Sequence, residues 1–465
     1  MISSSATKFA LTLVLSGAVA LAAACGGSGP KVNYPKGDAG GIATDANGKQ
    51  VGVVGTPDEK SGLSGSALAA YNSGFEAWMK GDLTAAKKGF QEAASQDPKS
   101  PAPDYSLGVV LEHLGDSAGA QQAFRSAFGK KPDYDLAMGG YALSLAGKGA
   151  LSEADTFLSE KHAKMPNSAR IAVYLAEVKS LAGDHGTAQQ LGQDALRINA
   201  DFKEAMVLLA RDHYRARKMD LARYALQAVI DGFGEGSPPR DKENPEANLL
   251  RGLIEREIGR RSVALAAFEV AAKKRPSLVE AQVQLGAMKL EAGNAQEALE
   301  PLETAVKFGP TVALAHLNLG DCYRLLGRPG DAKKELEQSL ALDSSLAQAH
   351  YNLGLLYLVS PNVPGFNPDS QMTASITEFE KYKTMRAKDV KDDADDLLNR
   401  AKAKQAELRA ASAASAAASA PPPPPAPPPP AASGSASAAP AGTAAPAASG
   451  TAAAAPAATG TAAKK

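Results

Sequence analysis

The sequence predicts an all-α array of stacked helical hairpins. Three observations carry this. From about Ala67 a pattern of glycine, alanine, phenylalanine and proline returns every 34 residues. Each return is broken near its middle by a Gly-Asp, Gly-Asn or Gly-Arg pair, the chemistry of a tight turn between two helices. Alanine is abundant while aromatics are 5% of 465 residues, which suits closely packed helices better than a sandwich or barrel.

The first segment is read as a targeting signal and set apart from the fold. Residues 1–8 carry one charge, Lys8, and Phe9 to Ala24 is an unbroken run of apolar and small residues, short for a bilayer span. It ends in LAAAC, with Cys25 followed by two glycines. This resembles the lipobox of bacterial lipoprotein signal peptides, although Ala22 stands three before the cysteine, where leucine is commoner. The alternative is an ordinary secretory signal that happens to precede a cysteine. The resemblance implies cleavage after residue 24 and lipid on Cys25. Three acyl chains would anchor firmly where one holds marginally. Gly26 rather than aspartate then favours the outer membrane, facing the periplasm. Residues 25–62, rich in Gly, Asp, Lys and Pro, read as a disordered tether spanning roughly 30–35 Å.

Residues 63–385 hold the repeats. In 74–98, 108–132 and 252–276 a glycine is followed by alanine twelve later, phenylalanine four later, alanine three later and proline five later. Residues 286–310 match, with leucine in the phenylalanine slot. These small, apolar and proline positions resemble the tetratricopeptide repeat (TPR), which implies an α-solenoid. The shared register gives about nine copies, starting near 67, 101, 135, 169, 203, 245, 279, 313 and 347. Gly74 and Ala86 belong at the crossing of two helices, Phe90 fills the groove beside them, and Pro98 ends the second helix. One hairpin cannot bury its apolar face alone, so neighbours stack. The third copy has Ala142, Ala154 and Leu158 in the key slots. The fourth has Gly192 where phenylalanine is expected, and the fifth is followed by the insertion SPPRDKEN, 237–244. In the ninth, three prolines and a glycine between Ser360 and Asp369 interrupt the hairpin. The segment ASITEFEKYKTM then resumes about nine residues late. This loop is expected to project Phe366 from the edge of the array. Residues 386–411 read as a charged capping helix. Residues 412–465, almost wholly Ala, Ser, Pro, Gly and Thr, read as a disordered tail with a polyproline run at Pro421–Pro430 roughly 30 Å long. The tail is either low-complexity sequence without a partner or a spacer in the cell wall.

Chemistry is sparse. No HExxH, CxxC or phosphate-cradling glycine pattern is present, so no catalytic residue, metal, cofactor or small-molecule substrate is expected. His316 and His350 share one repeat slot and read as structural, and Cys322 reads as a buried inert thiol. Lys plus Arg equal Asp plus Glu at 50 each, which argues against a nucleic-acid partner. What remains is a surface. In TPR arrays the first helices line a concave face through roughly slots 2, 5, 9 and 12 of each copy. The resemblance therefore nominates Tyr71, Phe75 and Trp78 in copy one and Tyr351 and Leu355 in copy nine, an apolar and aromatic lining suited to peptide recognition. The alternative is that they contact the adjacent linker or cap. Mid-array, Arg211, Arg215 and Arg256 are candidates to hold a carboxylate, or else form a solvated face with Asp212, Glu255 and Glu257. The Lys/Asn carboxylate clamp of some TPR chaperone adaptors is absent, since Tyr71 and Phe75 occupy its slots. Lipobox, tether, long array and the late EFEKYKTM segment resemble the TPR lipoproteins of the adventurous gliding-motility apparatus. This implies an outer-membrane scaffold working with other envelope proteins. A pilotin-like assembly or secretion lipoprotein, or a regulator of peptidoglycan synthesis, are the alternatives.

Overall fold

The computed structural model describes residues 63, 65–387 and 392–419, together with a two-residue antiparallel pairing of β1 (Ala43–Thr44) with β2 (Gln50–Val51). The signal segment, Cys25, most of the tether and the tail beyond 419 lie outside the described residues.

The rest of the described chain is helical. Nine hairpins follow one another: α1 (Gly65–Met79) with α2 (Leu83–Gln96), α3 (Ala102–His113) with α4 (Ser117–Lys130), α5 (Asp135–Gly147) with α6 (Leu151–Lys164), α7 (Ala169–Leu181) with α8 (His185–Ile198), and α9 (Lys203–Arg215) with α10 (Met219–Ile230). Then come α11 (Pro245–Glu257) with α12 (Arg261–Lys274), α13 (Val279–Glu291) with α14 (Ala295–Phe308), α15 (Ala313–Leu325) with α16 (Pro329–Leu342), and α17 (Ala347–Val359) with α18 (Pro368–Met385). A last helix, α19, runs Ala394–Ser419. The architecture is a TPR α-solenoid.

Six of the nine hairpins are closed by a glycine against a phenylalanine or leucine, and repeats 3, 4 and 5 have Ala142, Ala176 and Ala210 in the glycine slot. A Cβ placed on Gly108, Gly252 or Gly354 would stand 2.4–2.8 Å from the ring of Phe124, Phe268 or Phe379, and one on Gly286 or Gly320 would meet Leu302 or Leu336 as closely. Only hydrogen fits there, so the two helices approach until the large side chain is fully enclosed; Phe90, Phe124, Phe268, Phe379 and Leu302 are all 0% exposed. The fourth repeat solves its missing phenylalanine from outside: a Cβ on Gly192 would stand 2.7 Å from Leu209, which enters from α9 of the next repeat.

The turn within each hairpin needs one residue in the left-handed region. Gly81, Gly115, Gly149, Gly183, Gly259, Gly293 and Gly327 supply it with φ of 70–84°. In three turns the following aspartate, Asp82, Asp116 or Asp184, accepts a backbone hydrogen bond and caps the second helix. The fifth repeat has Arg217 at this place, with φ 61°, the one non-glycine among the described residues with positive φ. In the ninth repeat the place falls on Pro361, whose ring forbids positive φ. The turn therefore cannot close in the usual way. Eight residues separate α17 from α18, against three between α15 and α16, and α18 is 18 residues long where α16 has 14. Five extra loop residues and four extra helical ones account for the nine-residue delay. Ser375 and Phe379 still reach Gly354, Ser375 Oγ donating to its carbonyl at 2.8 Å.

Phe366 does not project from this loop, contrary to expectation. Its ring lies 4.9 Å from that of Tyr357, with the Lys333 ammonium 5.1 Å over its centroid. Val363 is 2% exposed, and its N–H donates to Gln371, whose amide donates to the Tyr357 and Ser360 carbonyls at 2.7 and 2.8 Å. Prolines in a loop this well bonded restrict it rather than free it. The last helix also runs further than the sequence suggests. α19 continues to Ser419, because alanine is the strongest helix former and the first breaker is Pro421.

Two stability outcomes follow from these contacts. Arg217→Gly relieves the left-handed strain and should raise stability by about 1 kcal/mol, seen as a higher thermal midpoint; a lower midpoint contradicts the turn geometry. Phe124→Ala empties an enclosed site and should cost about 3–5 kcal/mol, and an unchanged melt would remove Phe124 from the hairpin core.

Candidate functional site: the inner face of the array

The first helices carry the residues singled out in the sequence, and the structure divides them by place along the array. At the start, Tyr71 is 0% exposed: its ring stands 5.3 Å from Phe90, and Ser106 Oγ donates to its hydroxyl at 3.3 Å. Trp78 is likewise buried, enclosed by His113 and Phe308, and Phe75 is partly buried against the same apolar cluster. At the far end Tyr351 is buried under the cap. Its hydroxyl donates to Asp393 at 2.8 Å, and its ring meets Phe379 at 5.9 Å and Tyr382 at 5.2 Å. Leu355 packs in the cluster that α19 completes through Leu397 and Leu398. The aromatic residues at both ends are thus taken up by the chain itself, and the structure does not bring them together into one groove.

The middle of the array is charged, and its charges hold one another. Glu177 on α7 takes both arginines of α9: Arg215 at 2.6 Å and Arg211 at 3.3 Å. Arg211 reaches on to Glu246 on α11 at 3.3 Å, and Glu246 takes Arg275 from the end of α12 at 2.9 Å. Arg215 also donates to Ser180 at 3.0 Å, and Arg256 donates to Gln284. The result is a chain of ion pairs that crosses from repeat 4 to repeat 6. Burial pushes the Glu177 carboxyl up, but Arg215 and Arg211 outweigh it and hold it at about 2. Glu246 is lowered in the same way, with burial opposing and Arg275 and Arg211 prevailing. Glu280 goes the other way. Burial raises it further than Arg211, Arg256 and Arg215 lower it. The three arginines nominated as carboxylate holders therefore already sit among this chain's own acceptors. Asp212 belongs to a different contact, accepting from His185 at 2.6 Å and Gln189 at 2.7 Å, and Glu255 pairs with Arg223 at 3.0 Å.

The other polar residues are structural in placement. His316 donates to Glu335 at 2.6 Å and His350 to Glu378 at 2.5 Å. Cys322 is fully enclosed, and burial pushes its thiol up to about 11, far from a thiolate at neutral pH. Among the described residues no cluster of three His, Cys, Asp or Glu side chains is placed to hold a metal ion. Sequence reasoning missed Glu177, Glu246 and Glu280. A signal was present for two of them: slot 2 reads Glu204, Glu246 and Glu280 in three successive copies, and Arg211 follows Glu204 by seven residues, two turns along the same helix.

Tetratricopeptide-repeat models match residues 71–135 and 207–279 in one case and 289–356 in another. No curated protein matches the chain. Solved structures similar to it include the APC/C hetero-tetramer Cut9–Hcn1 (16% identity, 64% of this chain and 58% of that one, TM-score 0.40). Yeast Tom70 has 16% identity over 74% of this chain and 65% of that one, with TM-score 0.40. PilF of Pseudomonas aeruginosa has 20% identity over 47% of this chain and 95% of that one, with TM-score 0.30. The chain thus spans less than two thirds of the length of the first two.

The ion-pair chain makes a pH prediction. The Glu177 carboxyl is lowered in the fold, so its stabilisation is present above the ordinary value near 4.5 and is lost as pH falls toward about 2. Glu177→Gln should cost on the order of 3 kcal/mol at pH 7, and the difference from wild type should shrink through that window. A cost independent of pH between 5 and about 2.5 would contradict the pairing.

Proposed function

We propose that this TPR chain is a non-enzymatic scaffold, held at the outer membrane by lipid on Cys25 and binding other envelope proteins through the inner face of its array. TPR domains generally bind proteins, and the observation that carries the reading here is the character of that face. Its charged middle is pre-ordered by Glu177, Arg211, Arg215 and Glu246, which fixes side chains for recognition without offering a group free to do chemistry. A pre-paired surface of this kind loses little side-chain freedom when a partner docks, and its mixed signs favour a partner of mixed charge over a polyanion.

The anchor is supported by LAAAC and the apolar run before it. The finer assignment is a component of an outer-membrane and periplasmic gliding-motility complex. It is supported by the combination of lipobox, tether, nine-repeat array and the delayed α18 with its EFEKYKTM segment.

Two measurements check this. Cys25→Ala should move the protein from the membrane to the soluble fraction, and unchanged sedimentation would remove the lipid anchor. Affinity purification of the anchored protein should recover motility-complex proteins. Recovery of barrel-assembly, secretion or cell-wall synthesis proteins in their place would transfer the scaffold to those systems.

A further inference from the structure

Substantial helix contacts in the array join elements that are neighbours, or one removed, along the chain. One small contact breaks this rule. The C-terminal ends of α1 and α3, in repeats 1 and 2, meet the end of α14 in repeat 7. Trp78 is 1% exposed, its indole 4.8 Å from the His113 ring at 81° and 5.7 Å from the Phe308 ring at 71°. His113 Nδ1 donates to the Phe308 carbonyl at 2.6 Å, across 195 residues of sequence. The two hairpin turns beside them accept side chains from the same stretch. A Cβ on Gly81 would stand 2.8 Å from Lys307, and one on Gly115 would stand 2.9 Å from Thr311. The buried cluster of repeats 1–5 continues through this point into Val279, Ala305, Phe308 and Ala315.

We propose that Trp78, His113 and Phe308 form an intramolecular clasp, which closes repeats 1 and 2 onto repeat 7 and sets the access of a partner to the inner face at that end. Trp78 occupies slot 12 of its repeat, a place that the inner-face register turns toward a ligand. The apolar surface an incoming side chain would cover is already covered by Phe308. The clasp is held by a few side chains, whereas consecutive hairpins are joined by more extensive helix contacts. It is therefore the joint that opens at least cost, and opening it leaves every hairpin intact. The clasp stands on its own geometry; its control of access rests on the inner face being the partner-binding face.

Trp78 is the only tryptophan in the chain, so its emission reads the clasp directly. In the full-length protein in detergent, the wild type should give blue-shifted emission poorly quenched by iodide. Phe308→Ala should shift the emission to the red and raise iodide quenching several-fold, with helical circular dichroism unchanged. Amide exchange should quicken at 78–82, 113–116 and 307–312 while the other hairpins keep their protection. Freely quenched Trp78 in the wild type overturns the proposal, as does a helical Phe308→Ala protein with wild-type emission and exchange. If Phe308→Ala loses helicity, His113→Ala removes the cross-array hydrogen bond without emptying the Phe308 site, and the same readouts decide. Partner recovery separates the two claims. A clasp that opens with no change in recovery removes the control of access and leaves the scaffold reading to be judged by the wild-type purification.

Discussion

The fold depends on one close approach repeated along the chain: a glycine or alanine on the first helix of a hairpin, and a phenylalanine or leucine on the second that fills the space beside it. Without a side chain at Gly108 or Gly252 the helices come together until Phe124 and Phe268 are wholly enclosed. That contact fixes the hairpin, and the hairpin fixes which side of each first helix faces inward. Everything proposed about recognition follows from that orientation. Repeats 4 and 9 show how firmly the geometry is kept. Where Gly192 cannot fill the groove, Leu209 enters from the next repeat. Where Pro361 forbids the left-handed turn, a longer loop and a longer α18 restore the contact between Gly354 and Phe379.

Local structure was legible in the sequence because a TPR writes its rules locally. The crossing residues, the left-handed glycine with its capping aspartate and the closing proline each lie within one 34-residue unit, so period and register could be read together. What the sequence hid was produced between units. Glu177 meets Arg211 and Arg215 one repeat away, and nothing in a single copy says that the arginines are already paired. Trp78 meets Phe308 after 230 positions, a distance at which the register carries no signal. The loop at Pro361–Asn367 was misjudged for a related reason. Its prolines announced a break, but the Gln371 amide that ties the break back to Tyr357 and Ser360 lies in the following helix.

These longer-range contacts change what the inner face offers. Its two aromatic ends are closed, one by Phe308 and one by the cap over Tyr351, while its middle presents charges held in place by one another. A scaffold built in this way presents a fixed pattern of charge at its centre. On the proposed reading, apolar surface at the Trp78 end is released where the clasp opens, which couples affinity at that end to opening. Lipid on Cys25 and a tether of about 30 Å would confine the array to the neighbourhood of one membrane, raising the effective concentration of partners there without any added contact.

The most direct test of this account is site-specific photo-crosslinking in living cells, with the reactive residue placed in turn at Arg256 on the inner face and at Tyr224, which is 64% exposed on the second helix of repeat 5. The account predicts discrete crosslinked protein partners from position 256 and few or none from position 224. Partners captured from position 224 alone would contradict recognition through the inner face.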